Sequence, residues 1–93
     1  MIIGSCEIEL LIFEVNSLKE KRQVIKSLIN RIQSRFNVSI AEVGLNEIWR
    51  RGLIAFACVT TSTKHANQII NNVVKFMEND NRVEIINCEF EII

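Results

Sequence analysis

The residues best suited to chemistry in this chain stand in SLKEKR, residues 17–22, where Lys19, Lys21 and Arg22 crowd the start of a helix-forming run. A helix start is already electropositive, because its first N–H groups lack intrahelical acceptors and the aligned peptide dipoles place about half a positive charge there. Cations at that end are disfavoured by some tenths of a kcal/mol each. A Ser hydroxyl, free N–H groups and cations gathered at one helix end can hold a phosphate or carboxylate, and a bound anion turns the penalty into attraction. Lys26 lies one turn further on, and Arg31 and Arg35, four residues apart, share a helical side and extend the basic surface. Arg50 and Arg51 follow Trp49, the only tryptophan, and an indole beside guanidinium groups can stack on a base or grip a protein. The expected anion- or RNA-binding set is therefore Ser17, Lys19, Lys21, Arg22, Lys26, Arg31, Arg35, Trp49 and Arg50. A plainer account stands beside it: Lys19, Lys21 and Arg22 pair with Glu14, Glu20, Glu42 or Glu47 and solvate a helix, while Trp49 is a lid on the core edge.

Charge is unevenly placed along the chain. The 93 residues carry 11 Lys and Arg against 11 Asp and Glu, for a net charge of zero. Residues 17–36 nevertheless hold six cations and one acid, Glu20, whereas Glu7, Glu9, Glu14, Glu84, Glu89 and Glu91 belong to the first and last strand-like runs or their margins. Opposed electrostatic faces follow.

Catalytic and metal chemistry find little support. His65 has no nucleophile motif nearby and reads as a solvent-facing or capping residue. Glycine occurs only at positions 4, 44 and 52, so no phosphate-cradling glycine loop exists. Glu7, Glu9, Glu89 and Glu91 offer oxygen ligands of the kind a divalent cation takes, but no metal or cofactor is expected. Cys6, Cys58 and Cys88 form no C-x-x-C pair and lie in apolar runs, where cysteine behaves as a small hydrophobe. A reducing compartment suits them.

The elements that must position these residues follow from periodicity. Residues 2–14 alternate as a half-buried strand. Ser17 followed by Glu20 is a capping box, and Leu18, Ile25, Leu28, Ile29, Ile32 and Phe36 recur at helical spacing after it. Residues 37–44 are short and β-branched, and GLIAFACVTT, residues 52–61, is the most strand-like run. Ser62 or Thr63 can cap a second helix with the stripe Ala66, Ile69, Ile70, Val73, Phe76 and Met77. RVEIINCEFEII, residues 82–93, reads as the last strand.

With 48% hydrophobic residues, 24% charged and no proline, residues 1–93 make one folded domain, with room for one core. The order predicts an α+β, ferredoxin-like split βαβ sandwich (βαββαβ), a four-stranded antiparallel sheet with both helices on one face. Ile8, Leu10, Phe56, Cys58, Ile86 and Phe90 are expected under the helices. Glu7, Glu9, Leu11, Phe13, Leu53, Ala55, Ala57, Val59, Glu89 and Glu91 then form an open face, part apolar and part acidic. Such a face suggests a homodimer or larger homo-oligomer. The sheet lacks the paired aromatics of an RNA-recognition motif, so base stacking on it is not expected. The longest apolar run, Leu53–Val59, is far short of the roughly 20 residues of a membrane span, and the N-terminus lacks a signal-peptide pattern. A cytoplasmic location is expected.

SLKEKRQVIKSLINRIQSRFNVSIAEVG followed by NEIW and a basic pair resembles the YlxP-like family of small bacterial proteins, a domain of unknown function. Ser17, Leu18, Lys19, Lys21, Arg22, Glu42 and Trp49 match its pattern directly. Glu47 and Arg50 stand where the family usually has Asp and Gln. The resemblance implies the same ferredoxin-like fold, no catalytic activity, and a place among genes for translation initiation and ribosome maturation. Two functions remain open: a non-enzymatic translation module touching ribosomal or other structured RNA through the basic helix, and a self-associating or protein-binding scaffold using the open face, with no nucleic-acid role. A phosphate-handling enzyme similar to the acylphosphatases would need an anion cradle after the first strand, which FEVNSLKE supplies only in part.

Overall fold

Alternation carries residues 2–12 into β1 (Ile2–Ile12), whose inward side chains Cys6, Ile8, Leu10 and Ile12 are all buried. In the computed structural model, which describes all 93 residues, there follow α1 (Leu18–Arg35), β2 (Ser39–Gly44), β3 (Arg51–Thr60), α2 (Thr63–Glu78) and β4 (Val83–Ile92). Every strand pairing is antiparallel and the sheet order is β2-β3-β1-β4, which makes β1 and β3 central. This is the ferredoxin-like α+β sandwich. Fifteen buried residues drawn from all six elements and the β1–α1 connection form one core between sheet and helices. Neither helix is long and apolar enough to cross a membrane.

Two glycines set how closely the helices approach. A Cβ on Gly52 would lie 3.0 Å from Ile25 Cδ1 of α1, and one on Gly4 would lie 3.2 Å from Ile70 Cδ1 of α2. Gly52 is opposite Leu10, and Gly4 opposite Cys58, on the same side of the sheet. Both helices therefore cover that side, and the opposite face carries no helix. There Ser39, Ala57, Ser5 and Glu91 form one cross-strand row, and Ala41, Ala55, Glu7 and Glu89 the next.

The last strand departs from simple alternation. Glu9 pairs with Asn87 but Leu10 pairs with Ile85, so Ile86 is an extra residue in a β-bulge. Strand alternation therefore changes phase, and Val83 and Ile85 point inward while Ile86 is 41% exposed, contrary to the expectation that it packs under the helices. Phe90 lies opposite Cys6 on the helix side, yet the edge position leaves it 60% exposed. Ile8, Leu10, Phe56 and Cys58 are buried as their spacing requires.

Candidate functional site

The capping box forms as its sequence dictates. Glu20 N donates to Ser17 Oγ at 3.1 Å, while Glu20 Oε2 accepts from Asn16 N and from Ser17 Oγ at 3.4 Å each. A carboxylate from the chain itself thus sits at the positive end of α1. Ser17 is committed to the cap, so the expected anion cradle at this hydroxyl is not open. Glu20 in turn offsets the dipole that the cations of SLKEKR oppose.

Lys21 relieves the crowding further by leaving the surface. Its side chain is fully buried, Nζ donates to Leu45 O at 2.6 Å, and Glu42 Oε2 lies 3.0 Å away. Glu42 Oε2 makes no directed hydrogen bond, so the pairing acts through charge. Lys21 is therefore no surface ligand. It occupies a position of the buried stripe, in line with Ile25, Leu28 and Ile32. A sequence signal existed, because 21, 25, 28 and 32 are helically spaced and Glu42 lies two residues after the buried Ile40, on the same side of β2. The charge of Lys21 argued for solvent, and its spacing argued for the interior. The interior won because Glu42 and a carbonyl supply the partners a buried ammonium needs.

This pair holds a loop in shape. Leu45 has φ 58°, a left-handed conformation that a branched side chain rarely adopts, and Glu14 in the β1–α1 connection has φ 57°. The β1–α1 and β2–β3 connections meet at one end of the sandwich, where Ile12 N donates to Arg50 O at 2.8 Å and Arg50 Nε to Val15 O at 3.4 Å. Trp49 is 49% exposed there, beside Ile48 at 47%. The indole is neither a sealed lid nor fully free.

The remaining cations do not form one surface. At 3.6 residues per turn, Lys19, Arg22 and Lys26 fall within an arc of roughly 60° on one flank of the buried stripe. Arg31 and Arg35 lie on the opposite flank, both guanidinium groups 5.1 Å from the Phe76 ring of α2. They do not extend the first patch. Arg31 also meets Asp80 at 3.1 Å. Lys19, Arg22 and Lys26 are exposed and form no ion pair with any carboxylate of the chain. On the open face, Arg51 pairs with Glu9 at 2.9 Å, and the acids there do not converge into a group able to hold a metal.

Asp80 is a buried acid that periodicity does not flag. Arg82 grips it with two hydrogen bonds, Nε to Oδ1 at 3.0 Å and Nη2 to Oδ2 at 2.7 Å, and reaches Ser27 Oγ at 3.2 Å with Nη1. The Arg82 side chain holds the Asp80 carboxyl below its ordinary range against the opposing effect of burial, and Asp80 raises the Arg82 guanidinium in turn. This fork ties the α2–β4 turn to the middle of α1, and its signal, D-N-R after a helix end, is short and common. His65 Nδ1 and Thr60 Oγ1 lie 2.9 Å apart beside the Ser62 cap of α2, a structural position.

The chain matches the family described as "Protein of unknown function (DUF503)" over residues 3–90. It is also similar to the "Uncharacterized protein YlxP" of Bacillus subtilis (strain 168), with 36% identity over 83 residues that cover 89% of this chain and 90% of that protein. A buried lysine–glutamate pair at positions carrying the resemblance, and a match through nearly the whole fold, lead to one conclusion: this chain belongs to the DUF503 family, the YlxP-like proteins.

Proposed function

We propose that this protein is a non-enzymatic cytoplasmic module of the translation apparatus that contacts structured RNA at the end of the sandwich where α1 begins. The observation that carries the reading is the flank of Lys19, Arg22 and Lys26, exposed and without carboxylate partners, which runs from the end of the fold that presents Trp49 and Arg50 to the middle of α1. Cations in an arc of this kind suit successive phosphates, and a half-exposed indole suits an unpaired base. Lys21 acts from inside, by holding the loop that carries the indole. The link to translation rests on the family resemblance.

Titration of a labelled ribosomal RNA hairpin at about 50 and 200 mM salt tests this. Binding is expected to weaken steeply with salt, and Arg22→Glu with Lys26→Glu is expected to lower the log–log slope by about 0.7–0.9 for each phosphate no longer neutralised. Arg31→Glu, on the other flank, should change little. Affinity indifferent to the Arg22 and Lys26 changes would remove the proposal.

A second reading is favoured by the open face, which holds a shallow depression of about 540 Å³ lined by Ala41, Val43, Ala55, Ala57, Glu7 and Glu89. We propose under it that two copies associate through this face, whose small side chains permit close approach. Light scattering should then give a dimer that does not bind the RNA hairpin and that Ala57→Arg converts to monomer. A monomeric parent protein would end this reading.

A further inference from the structure

Two of the three cysteines are brought together by the sheet, although 82 positions separate them in the chain. Cys6 on central β1 is buried, Cys88 on edge strand β4 is exposed, and their Sγ atoms are 3.6 Å apart. Cys6 lies opposite Phe90 and Cys88 opposite Ile8, so the pair is a diagonal one across neighbouring strands. We propose that Cys6 and Cys88 form a reversible dithiol site, which a small disulfide oxidises to an intramolecular clasp joining β1 to β4.

The chemistry divides by exposure. Burial, with the neighbouring thiol adding to it, pushes the Cys6 thiol up to about 12, which keeps it protonated near neutral pH. Cys88 is the thiol that solvent and a co-reactant reach. Its thiolate attacks one sulfur of the small disulfide, breaks that S–S bond and expels a thiolate, leaving a mixed disulfide on Cys88. Cys6 then loses its proton and attacks the Cys88 sulfur, which breaks the mixed disulfide and releases the second small thiolate. Two protein thiols become one disulfide, and one small disulfide becomes two thiols after the protons are returned.

A covalent S–S bond is about 2.05 Å long, so the sulfurs must close by about 1.5 Å. Two features of β4 favour the movement. It is an edge strand, paired on one side only, and the bulge at Ile86 lies two residues away. Because Cys6 must ionise before it attacks, the second step should quicken as pH rises. Cys58 shares the helix side of the sheet but is buried and sits on β3 away from β4, and it takes no part.

The native full chain is incubated with oxidised glutathione, quenched in acid and measured by intact mass and by peptide mapping. The expected product is a monomer lighter than the reduced chain by two hydrogen atoms, with Cys6 linked to Cys88, and reversed by dithiothreitol. Cys58→Ser should give the same product. Cys88→Ser, an exposed change that spares the core, should remain fully reduced. Cys6→Ser should stop as a glutathione adduct on Cys88. An unmodified parent protein, a parent that stops at the adduct, a link involving Cys58 or a bond between two chains would each overturn the proposal. None of these outcomes depends on RNA binding or on self-association.

Discussion

Lys21→Ala is expected to lower folding stability by about 3 kcal/mol, because it leaves the Glu42 carboxylate in the interior without its cation. Breaking a buried pair costs about 3–5 kcal/mol, and the 17% exposure of the Glu42 side chain places this one at the lower end. For a chain of this size the melting temperature should fall by more than about 12 °C. Leu45 also loses the hydrogen bond that holds its carbonyl while its backbone is left-handed. Emission from Trp49, the only tryptophan, reports on that loop and should shift to the red before global unfolding. Urea denaturation supplies the main measurement, and a loss below about 1 kcal/mol would show that the pair behaves like a solvated surface bridge. Lys21→Met together with Glu42→Leu should regain most of the stability, since apolar replacement of both partners of a buried pair is often neutral or better. This double variant separates the charge effect from damage to packing.

Phe56→Ala should have a comparable or larger effect, about 3–5 kcal/mol, through lost apolar burial and the cavity left behind. Phe56 lies on central strand β3, opposite Cys6 on β1 and Ile40 on β2, and is 2% exposed. No neighbouring strand end can collapse into the space, because both sides of β3 are paired. The adjacent Ala55 points to the opposite face, so Ala55→Ser should alter stability by no more than about 0.5 kcal/mol. Chemical denaturation of the two variants measures the sidedness of the sheet directly. Equal losses at positions 55 and 56 would contradict the alternation on which the open face depends. Domains of this kind are stable by about 5–15 kcal/mol in total, so either large loss brings the protein near its unfolding threshold.

The elements themselves were legible because each has a period that local chemistry enforces. The strand at residues 2–12 alternates, α1 opens on a Ser–Glu box, and α2 carries its stripe at Ala66, Ile70, Val73 and Met77. Alternation is interrupted where one residue is added, at Val43 in β2 and at Ile86 in β4. The bulge at Ile86 changes the phase of β4, and nothing in VEIIN marks it, since bulges arise from pairing with another strand.

The candidate site was legible only in part. Charge density marked the end of the fold where α1 begins, but charge alone does not say which cations meet solvent. Lys21 turned inward, Arg31 turned to Asp80 and Phe76, and Lys19, Arg22 and Lys26 remained free. Helical spacing separates the two flanks, so this division could have been read by ranking spacing above residue type. The partners of the buried charges, Glu42 for Lys21 and Asp80 for Arg82, lie on different elements or across a tight turn.

Taken alone, the order of residues determined the family, the βαββαβ order, the sidedness of each helix and central strand, and the excess of positive charge at α1. These are local properties, set by steric preference, capping and the alternation of polar and apolar side chains. Tertiary structure decided which charges are buried, where β4 shifts register, and that Cys6 and Cys88 become neighbours. Those outcomes depend on distances between segments remote in sequence, and the free energy of a buried charge or a thiol pair is defined only once its partner is in place.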